Sequence, residues 1–475
     1  MNRQRLGSLA GLACACAFTV QAGEFGPAIA QLDNAAAFER VVAAGAPVVP
    51  ELLPALKGPQ AGFAIRALGR IGAADAVSAL VACAADPDGE RRAAIAWAIG
   101  RCGAQAGLDT LLELTQDPYA PARAAAVHAL STVTDERAGA ALERALADPA
   151  SDVRRSAALA IAQGKRTVLW KPLAARLEFA VERVPDPGHP AGAKDPAPLV
   201  DQVAWAEGDL QTRLTVVQAL AAIQVADALP ALIASLERAD SFSRQATVRA
   251  IESMGPSAAP VCLGRIVPLA YDQENIAKHM PILLCNGQLA VVAGRLGDAR
   301  CVPHLLDSLK LPAAALGKDM DLTELFIQTV ELLGRFRCER AAAPLAELYK
   351  RTEVLQLSQA LERALLQLGS APARPLARNL DDYRVAPQFF RLLRRPELRT
   401  HAARDGILKF LAHESEIVRL EATETLGLYL YENILDEYDL PMLEAMYLDP
   451  NAEIRGACAR WKKQIDQKSG NEVRP

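Results

Sequence analysis

Three stretches of the chain repeat one phrase: "DPDGERRAAIAWAIG" at 86–100, "DPYAPARAAAVHALS" at 117–131 and "DPASDVRRSAALAIA" at 148–162. Each opens on Asp-Pro and places an Arg six residues after the Asp, and successive copies begin 31 residues apart. Asp followed by Pro and then by apolar residues at helical spacing predicts a helix start, with Asp as N-cap and Pro at the first helical position. Counting on from Arg92, Arg123 and Arg154, the sixth residue is Ala98, Ala129 and Ala160, and the seventh is Ile99, Leu130 and Ile161. The same offsets return from Arg213 (Ala219, Leu220) and Arg244 (Ala250, Ile251), with Glu207 standing where the Asp before Arg213 is expected.

Between these phrases recurs a second, shorter apolar segment with Pro near its start and Leu at helical spacing: "VVPELLPAL", "ALPALIASL", "CVPHLLDSL", "AAPLAELY" and "DLPMLEAMYL". The unit is therefore helix, Asp-Pro turn, helix, short link. Second helices end in "LGRIG" (68–72), "AGRLG" (293–297) and "LQLG" (366–369). In these marks the chain resembles the HEAT-repeat family, in particular the bacterial phycobilisome-lyase HEAT-like type. The resemblance runs over nearly all of residues 26–466. It implies an all-α fold, a right-handed superhelical α-solenoid of about twelve two-helix HEAT-like repeats. It also implies that second helices line the concave side and that Asp and Arg form a ladder between successive turns. A two-helix unit cannot bury its apolar face alone, so stacking of neighbours supplies the core.

The ladder expected on this basis comprises Asp86, Arg92, Asp117, Arg123, Asp148 and Arg154, returning at Asp449 and Arg455 after fading beyond Asp240. Its role is read as structural, and loss of Arg123 is expected to leave Asp117, or with it a neighbouring Asp, without a charged partner. If the third, sixth, seventh and tenth residues after each Arg face the core, the fifth points away. Those fifth positions include Trp97, His128, Leu159 and Arg249, flanked by Arg155 and Leu214 at first positions. An exposed row holding Trp, Leu and Arg has the composition of a partner-binding surface.

Five prolines in "PDPGHPAGAKDPAPL" cannot continue a helix, so an exposed insertion loop is expected over 185–200. It separates N-terminal repeats (23–184) from C-terminal repeats (201–466), ahead of a polar tail at 467–475. Shorter insertions fall at 271–275 and 311–319, and the repeat count is least defined between 376 and 410, around "QFFRLLRRPELR". No stretch alternates apolar and polar residues long enough to require a sheet. Only 5% of residues are aromatic, so Ala, Leu, Val and Ile carry the core.

At the N-terminus Arg3 and Arg5 precede "LGSLAGLACACAFTV", too short to span a bilayer but suited to a signal-peptide core, and "VQA" at 20–22 fits cleavage before Gly23. A periplasmic or secreted protein is expected. Loss of the two arginines takes the formal charge from -4 to -6, which argues against a nucleic-acid partner. Seven cysteines follow the leader, an odd number at irregular spacings that writes neither a disulfide framework nor a zinc ribbon; the one bridge weighed is Cys301 with Cys338.

The six histidines occur in no zincin or nucleophile-elbow context and no glycine-rich phosphate loop is present. HEAT-like dioxygenases hold iron through repeated His-Glu pairs, and no such site is expected here. The reading is a non-enzymatic, exported scaffold with no cofactor, metal or catalytic residue, taking protein or peptide partners on its concave face without a transmembrane span. Two alternatives stay open: an accessory or maturation subunit of an envelope enzyme, and a lyase-like enzyme. The basic stretch from Arg384 to Arg404 reads as a solvated helix face or as a contact for an anionic partner.

Overall fold

The computed structural model describes residues 24–185, 197–237, 239–268, 276–311, 316–378 and 386–472. The leader expected over 1–22 lies outside them, as do most of the Pro-rich insertion, the shorter insertion at 271–275 and residues 312–315 of that at 311–319. The chain forms two compact units, residues 1–235 with 242–253 and residues 236–241 with 254–475.

Helices come in pairs throughout. The first unit pairs α1 (Gly26–Ile29) with α2 (Ala35–Ala44), α3 (Val49–Leu52) with α4 (Ala61–Ile71), α5 (Val77–Ala82) with α6 (Gly89–Gly103), and α7 (Leu108–Leu114) with α8 (Ala120–Ala129). It continues with α9 (Glu136–Ala145) and α10 (Ser151–Gln163), α11 (Trp170–Ala175) and α12 (Leu210–Ile223), and α13 (Leu229–Leu236) and α14 (Ser241–Ser253). The second unit pairs α15 (Ala258–Arg265) with α16 (Ile276–Arg295), α17 (Val302–Ser308) with α18 (Met320–Arg335), and α19 (Ala342–Arg351) with α20 (Leu355–Gln367). Its last three pairs are α21 (Ala373–Arg378) and α22 (Ala386–Leu393), α23 (Arg404–Phe410) and α24 (Glu416–Tyr431), and α25 (Leu440–Glu444) and α26 (Ala452–Glu472). That makes thirteen pairs among the described residues, the first opening on a single turn, where the sequence suggested about twelve. The ambiguous "QFFRLLRR" segment is α22, a second helix cut short before Pro396, with Phe389 and Phe390 fully buried.

First helices are short, and a 3-10 turn leads into many of them, as at Ala74–Ala76, Ala299–Cys301 and Glu339–Ala341. Second helices are longer and stack on one another in sequence: α4 on α6, α6 on α8, α8 on α10, α10 on α12. The Leu-Gly-x-x-Gly ending now has a cause for each glycine. Gly69 lets the next second helix approach, since a Cβ there would lie 2.3 Å from the Trp97 ring. Gly72 ends α4 in the left-handed region at φ 73°, where its N–H caps Leu68 O.

Positions three, six and seven after each repeat Arg are buried in all five copies, for example Ile95, Ala98 and Ile99. In the second unit a single apolar core runs from Ala259 to Cys458 and takes up bulkier residues, Phe326, Phe389, Phe390 and Tyr429. The Tyr429 hydroxyl, fully buried, donates to Leu393 O at 2.7 Å and ties α24 to the end of α22. Burial pushes its phenol well above the ordinary tyrosine range.

One element was not foreseen as structured. The segment flanking the insertion forms an antiparallel ribbon, β1 (Phe179–Pro185) with β2 (Leu199–Trp205), in the register Phe179 opposite Trp205 and Pro185 opposite Leu199. Its period-two alternation is interrupted by Glu182-Arg183 and Asp201-Gln202, which hid it in the sequence. At its base Phe179 packs on Trp205 at 5.0 Å between ring centres, and the Arg213 guanidinium lies 4.9 Å over the Trp205 ring.

All seven cysteines of the described residues are free thiols, and the Cys301–Cys338 bridge is not formed. Burial pushes the Cys262 and Cys301 thiols up to about 11, so neither is a thiolate at neutral pH. Titration with an aromatic disulfide is expected to be slow for both in the native protein and to count all seven after denaturation without reductant. A count of five would show a bridge.

Candidate partner-binding face

The repeated phrase builds one device. Asp117 Oδ1 accepts the Tyr119 N–H at 2.8 Å and Asp148 Oδ1 accepts the Ala150 N–H at 2.9 Å, each closing a local Asp turn. Helices therefore begin three residues past the Asp, at Gly89, Ala120 and Ser151, and the expected N-cap role of Asp86, Asp117 and Asp148 is corrected. The carboxylate is needed elsewhere.

Arg92, Arg123 and Arg154 each divide their fork between two repeats. Arg123 Nη1 donates backward to Asp117 O at 2.9 Å, while Nε and Nη2 reach forward to both oxygens of Asp148 at 2.8 and 2.9 Å. Arg92 does the same, to Asp86 O at 2.8 Å and to Asp117 at 2.7 and 2.8 Å. The charged partner of Arg123 is thus the neighbouring Asp148, and the expectation that Asp117 depends on Arg123 is corrected: Asp117 is held by Arg92. The acidic partner of Arg154 lies 53 positions on, beyond the ribbon, where Glu207 receives it through two bonds of 2.6 Å. Glu207 is fully buried, takes a further contact from Arg176 at 3.3 Å and accepts the Asp209 N–H at 3.1 Å. At the start of the ladder Asp86 has no Arg from a preceding copy and pairs with Arg91 at 3.1 Å instead.

A rung in the second unit escaped the sequence reading. Arg419 donates to His413 O and Glu414 O at 2.9 Å and forward to Asp449 at 2.7 and 3.1 Å. His413 replaces the Asp, its Nδ1 accepting the Ser415 N–H at 3.0 Å. The signal was Arg419 itself, followed at three, six and seven by buried Ala422, Thr425 and Leu426. Arg455, last of the series, keeps the backward bonds to Asp449 O and Pro450 O at 2.8 Å.

These pairings set an acid limit. Hydrogen bonds from Arg92 hold Asp117 below its ordinary value, and those from Arg419 do the same for Asp449. For Asp148 and Glu207 burial pushes upward, but Arg123 and Arg154 together with backbone N–H groups outweigh it and both end lowered. A carboxylate lowered on folding contributes stability above its unfolded value, 3.8 for Asp and 4.5 for Glu, and loses it as pH falls through the folded value. The denaturant midpoint is expected to be flat from pH 7 to about 5 and to fall steeply below about 4. A midpoint unchanged at pH 3 would contradict the ladder.

The outward row lies where helical periodicity places it: Trp97 is 36% exposed, Leu159 is 38% exposed, and His128, Gln218 and Arg249 are exposed. Arg155 is half-buried and pairs with Asp152 one turn back. Leu214 does not join them. It is 7% exposed, buried in α12, whose burial wraps more widely around the helix than in its neighbours.

Sequence reasoning missed the aromatic company of Trp97. A groove of about 670 Å³ runs over α2, α4 and α6, lined by Phe38, Phe63 and Trp97 together with Arg66, Arg70 and Glu90. Phe63 is 37% exposed. Arg70 is engaged across the groove with Glu39, at 2.5 and 3.2 Å, and stacks over Phe38 at 5.5 Å. Phe38 and Phe63 precede the first clear Asp-Arg phrase, which is why counting offsets from Arg92 did not reach them.

Among the described residues no group of His, Cys, Asp or Glu is arranged to hold a metal ion, and no helix is long and apolar enough to cross a membrane. One His-Glu dipeptide does occur, His413-Glu414, and its histidine is committed to the Ser415 turn. The basic stretch is largely neutralised within the fold: Arg394 pairs with Glu421, Arg399 with Glu432 at 3.2 Å and Arg404 with Asp439 at 2.5 Å. Arg384 lies outside the described residues.

Residues 82–162 match the family model for HEAT repeats, and residues 61–86 match that for the PBS lyase HEAT-like repeat. No curated protein matches the chain. Among solved structures it is similar to the karyopherin Kap121p bound to the extreme C-terminus of the protein phosphatase Cdc14p, at 12% identity over 90% of this chain and 49% of that one, with a TM-score of 0.40. A mutant of Kap121p gives 11% identity, 94% and 54% coverage and a TM-score of 0.45, and importin beta gives 14%, 91% and 62% with 0.35. The chain spans about half the length of the Kap121p structures it resembles. With the phrase, the paired helices and the family matches on the same residues, 61–162 are HEAT repeats, and helix pairs of the same kind continue through both units.

Proposed function

We propose that this protein is an exported, non-enzymatic scaffold that holds a protein or peptide partner on the second-helix face of its first unit, the concave side in this reading. The observation that carries the proposal is the register of Trp97, His128 and Leu159. They occupy one equivalent position in three successive repeats, all exposed, and Trp97 opens into a groove with Phe38 and Phe63. Trp97 and Leu159 keep more than a third of their surface in water at a repeated position, and contiguous apolar surface of this kind marks interaction sites. Export rests on the charged start, short apolar core and small-residue site ahead of Gly23.

Site-specific photo-crosslinking tests the face. A photoreactive residue at His128 or Leu159 is expected to capture a partner in the native cell envelope, whereas one at Val168, exposed beside the first helix α11, is not. Capture only from Val168, or from none of the three, overturns the assignment. N-terminal sequencing of the same material tests export: Gly23 is the expected first residue, and an intact Met1 in the cytoplasmic fraction refutes it.

A further inference from the structure

The basic stretch around the end of α22 is not wholly spent. Arg394, Arg399 and Arg404 each meet a carboxylate further along the chain. Arg391, in the last turn of α22, and Arg395, just beyond it, are exposed and their side chains form no hydrogen bond or ion pair with any described residue. They line a cavity of about 310 Å³ between α20 and α22, together with Glu362, Arg363, Leu366 and Leu392. Its charges do not balance. Glu362 is the one carboxylate in this lining, and it keeps its charge because the group it accepts from, the Tyr349 hydroxyl at 2.6 Å, is neutral. Arg363 is engaged with Glu331 of α18 at 3.0 Å. With that pair set aside, Arg391 and Arg395 face Glu362 alone, and a positive charge is left over. Nor do the two arginines relieve each other, since like charges about one turn apart repel.

Leu366, half-buried, and Leu392, buried, add apolar surface beside the guanidinium groups. A free guanidinium fork is matched by a carboxylate in bidentate geometry. Two forks about 6 Å apart along a helix axis match alternate side chains of an extended segment, which project to one side about 7 Å apart. Glu362 selects further. A peptide brings backbone N–H groups that can donate to this carboxylate, whereas a polyphosphate brings dense negative charge and few donors.

We infer that the cavity between α20 and α22 binds an extended acidic peptide segment, carboxylates at alternate positions on Arg391 and Arg395 and its backbone against Leu366, Leu392 and Glu362. This site lies in the second unit and does not rest on the partner face proposed for the first. Arg391 and Arg395 are its specificity determinants, and as exposed side chains without partners they can be reversed in charge with the fold kept.

The probes are two fluorescein-labelled dodecapeptides, one alternating Glu and Ser and its twin alternating Gln and Ser, titrated against the purified protein by anisotropy. The Glu peptide is expected to bind at least about tenfold tighter than its twin and to weaken as salt rises. Arg391→Glu and Arg395→Glu are each expected to reduce that preference and together to abolish it, with unchanged melting curves. Arg144→Glu, an equal reversal at an exposed position of α9, is expected to leave it intact. Glu362→Gln, which keeps an acceptor for Tyr349 but removes the opposing charge, is expected to tighten the Glu peptide. Inorganic tripolyphosphate, another source of clustered oxyanions, is expected to compete more weakly than unlabelled Glu peptide. Equal binding of the two peptides, no binding of the Glu peptide, indifference to the double reversal, or an equal loss with Arg144→Glu each overturns the inference. Stronger competition by tripolyphosphate than by the peptide overturns it too, in favour of a phosphate ligand.

Discussion

Arg154→Ala is expected to lower the stability of the first unit by about 3 kcal/mol, the largest effect of any single ladder substitution. Glu207 is fully buried and draws two of its bonds, both 2.6 Å, from Arg154. Without them its charge is left to Arg176, at 3.3 Å, and to one backbone N–H. Removing one member of a buried pair strands the other in a medium that solvates it poorly. Arg123→Ala also strands a carboxylate, but Asp148 retains some access to water, so a smaller loss of about 2 kcal/mol is expected. Urea unfolding measures both, and hydrogen exchange should place the Arg154 loss in α10 and α12, the helices it joins. The double substitution Arg154→Ala with Glu207→Gln removes the charge as well and should recover part of the loss. An unchanged midpoint for Arg154→Ala would show that the pair contributes nothing.

Gly427→Ala in the second unit is expected to cost about 2 kcal/mol, although alanine is the better helix former by about 1 kcal/mol. A Cβ at 427 would stand 2.2 Å from Cγ of Trp461 on α26, at the root of the indole where rotation gives little relief. Trp461 is also held by its Nε1–H, which donates to Glu424 at 2.6 Å, and it packs on Tyr431 with ring centres 6.1 Å apart. The whole C-terminal helix must shift to admit one methyl group. Thermal unfolding followed by circular dichroism measures the loss, and adding Trp461→Ala should make Gly427→Ala neutral or favourable. Gly69→Ala provides the contrast: the group it meets is the far edge of the half-exposed Trp97 ring, which can swing into solvent, so its cost should be smaller.

The pairing of helices was legible because its causes are local: Asp and Pro mark turns, and apolar residues three, six and seven after Arg mark the buried side. The exposed row followed from the same arithmetic, and Trp97, His128 and Leu159 lie where it put them. Leu214 shows its limit. Offsets locate a residue on its own helix, but burial depends on what the neighbouring elements cover. The direction of the ladder was not legible either, since an Arg six residues after an Asp looks like a partner of that Asp until the fork is seen to reach the next one. His413 was missed because an imidazole nitrogen can close the same turn as a carboxylate oxygen, an equivalence of geometry rather than of residue class.

The forward reach of the fork gives the array a polarity. Asp117, Asp148 and Glu207 in the first unit are each completed by an Arg from the repeat before. A ribosome therefore releases each Arg before the acid it will hold, and a nascent repeat meets a waiting donor as it leaves the exit tunnel. The two ends of the array are unequal for the same reason. Trimming repeats from the C-terminal side of the ladder leaves a guanidinium on a long stem that can turn to water. Trimming from the N-terminal side leaves an Asp turned inward with its donor gone, so the tolerated direction for shortening or grafting this scaffold is from its C-terminal end.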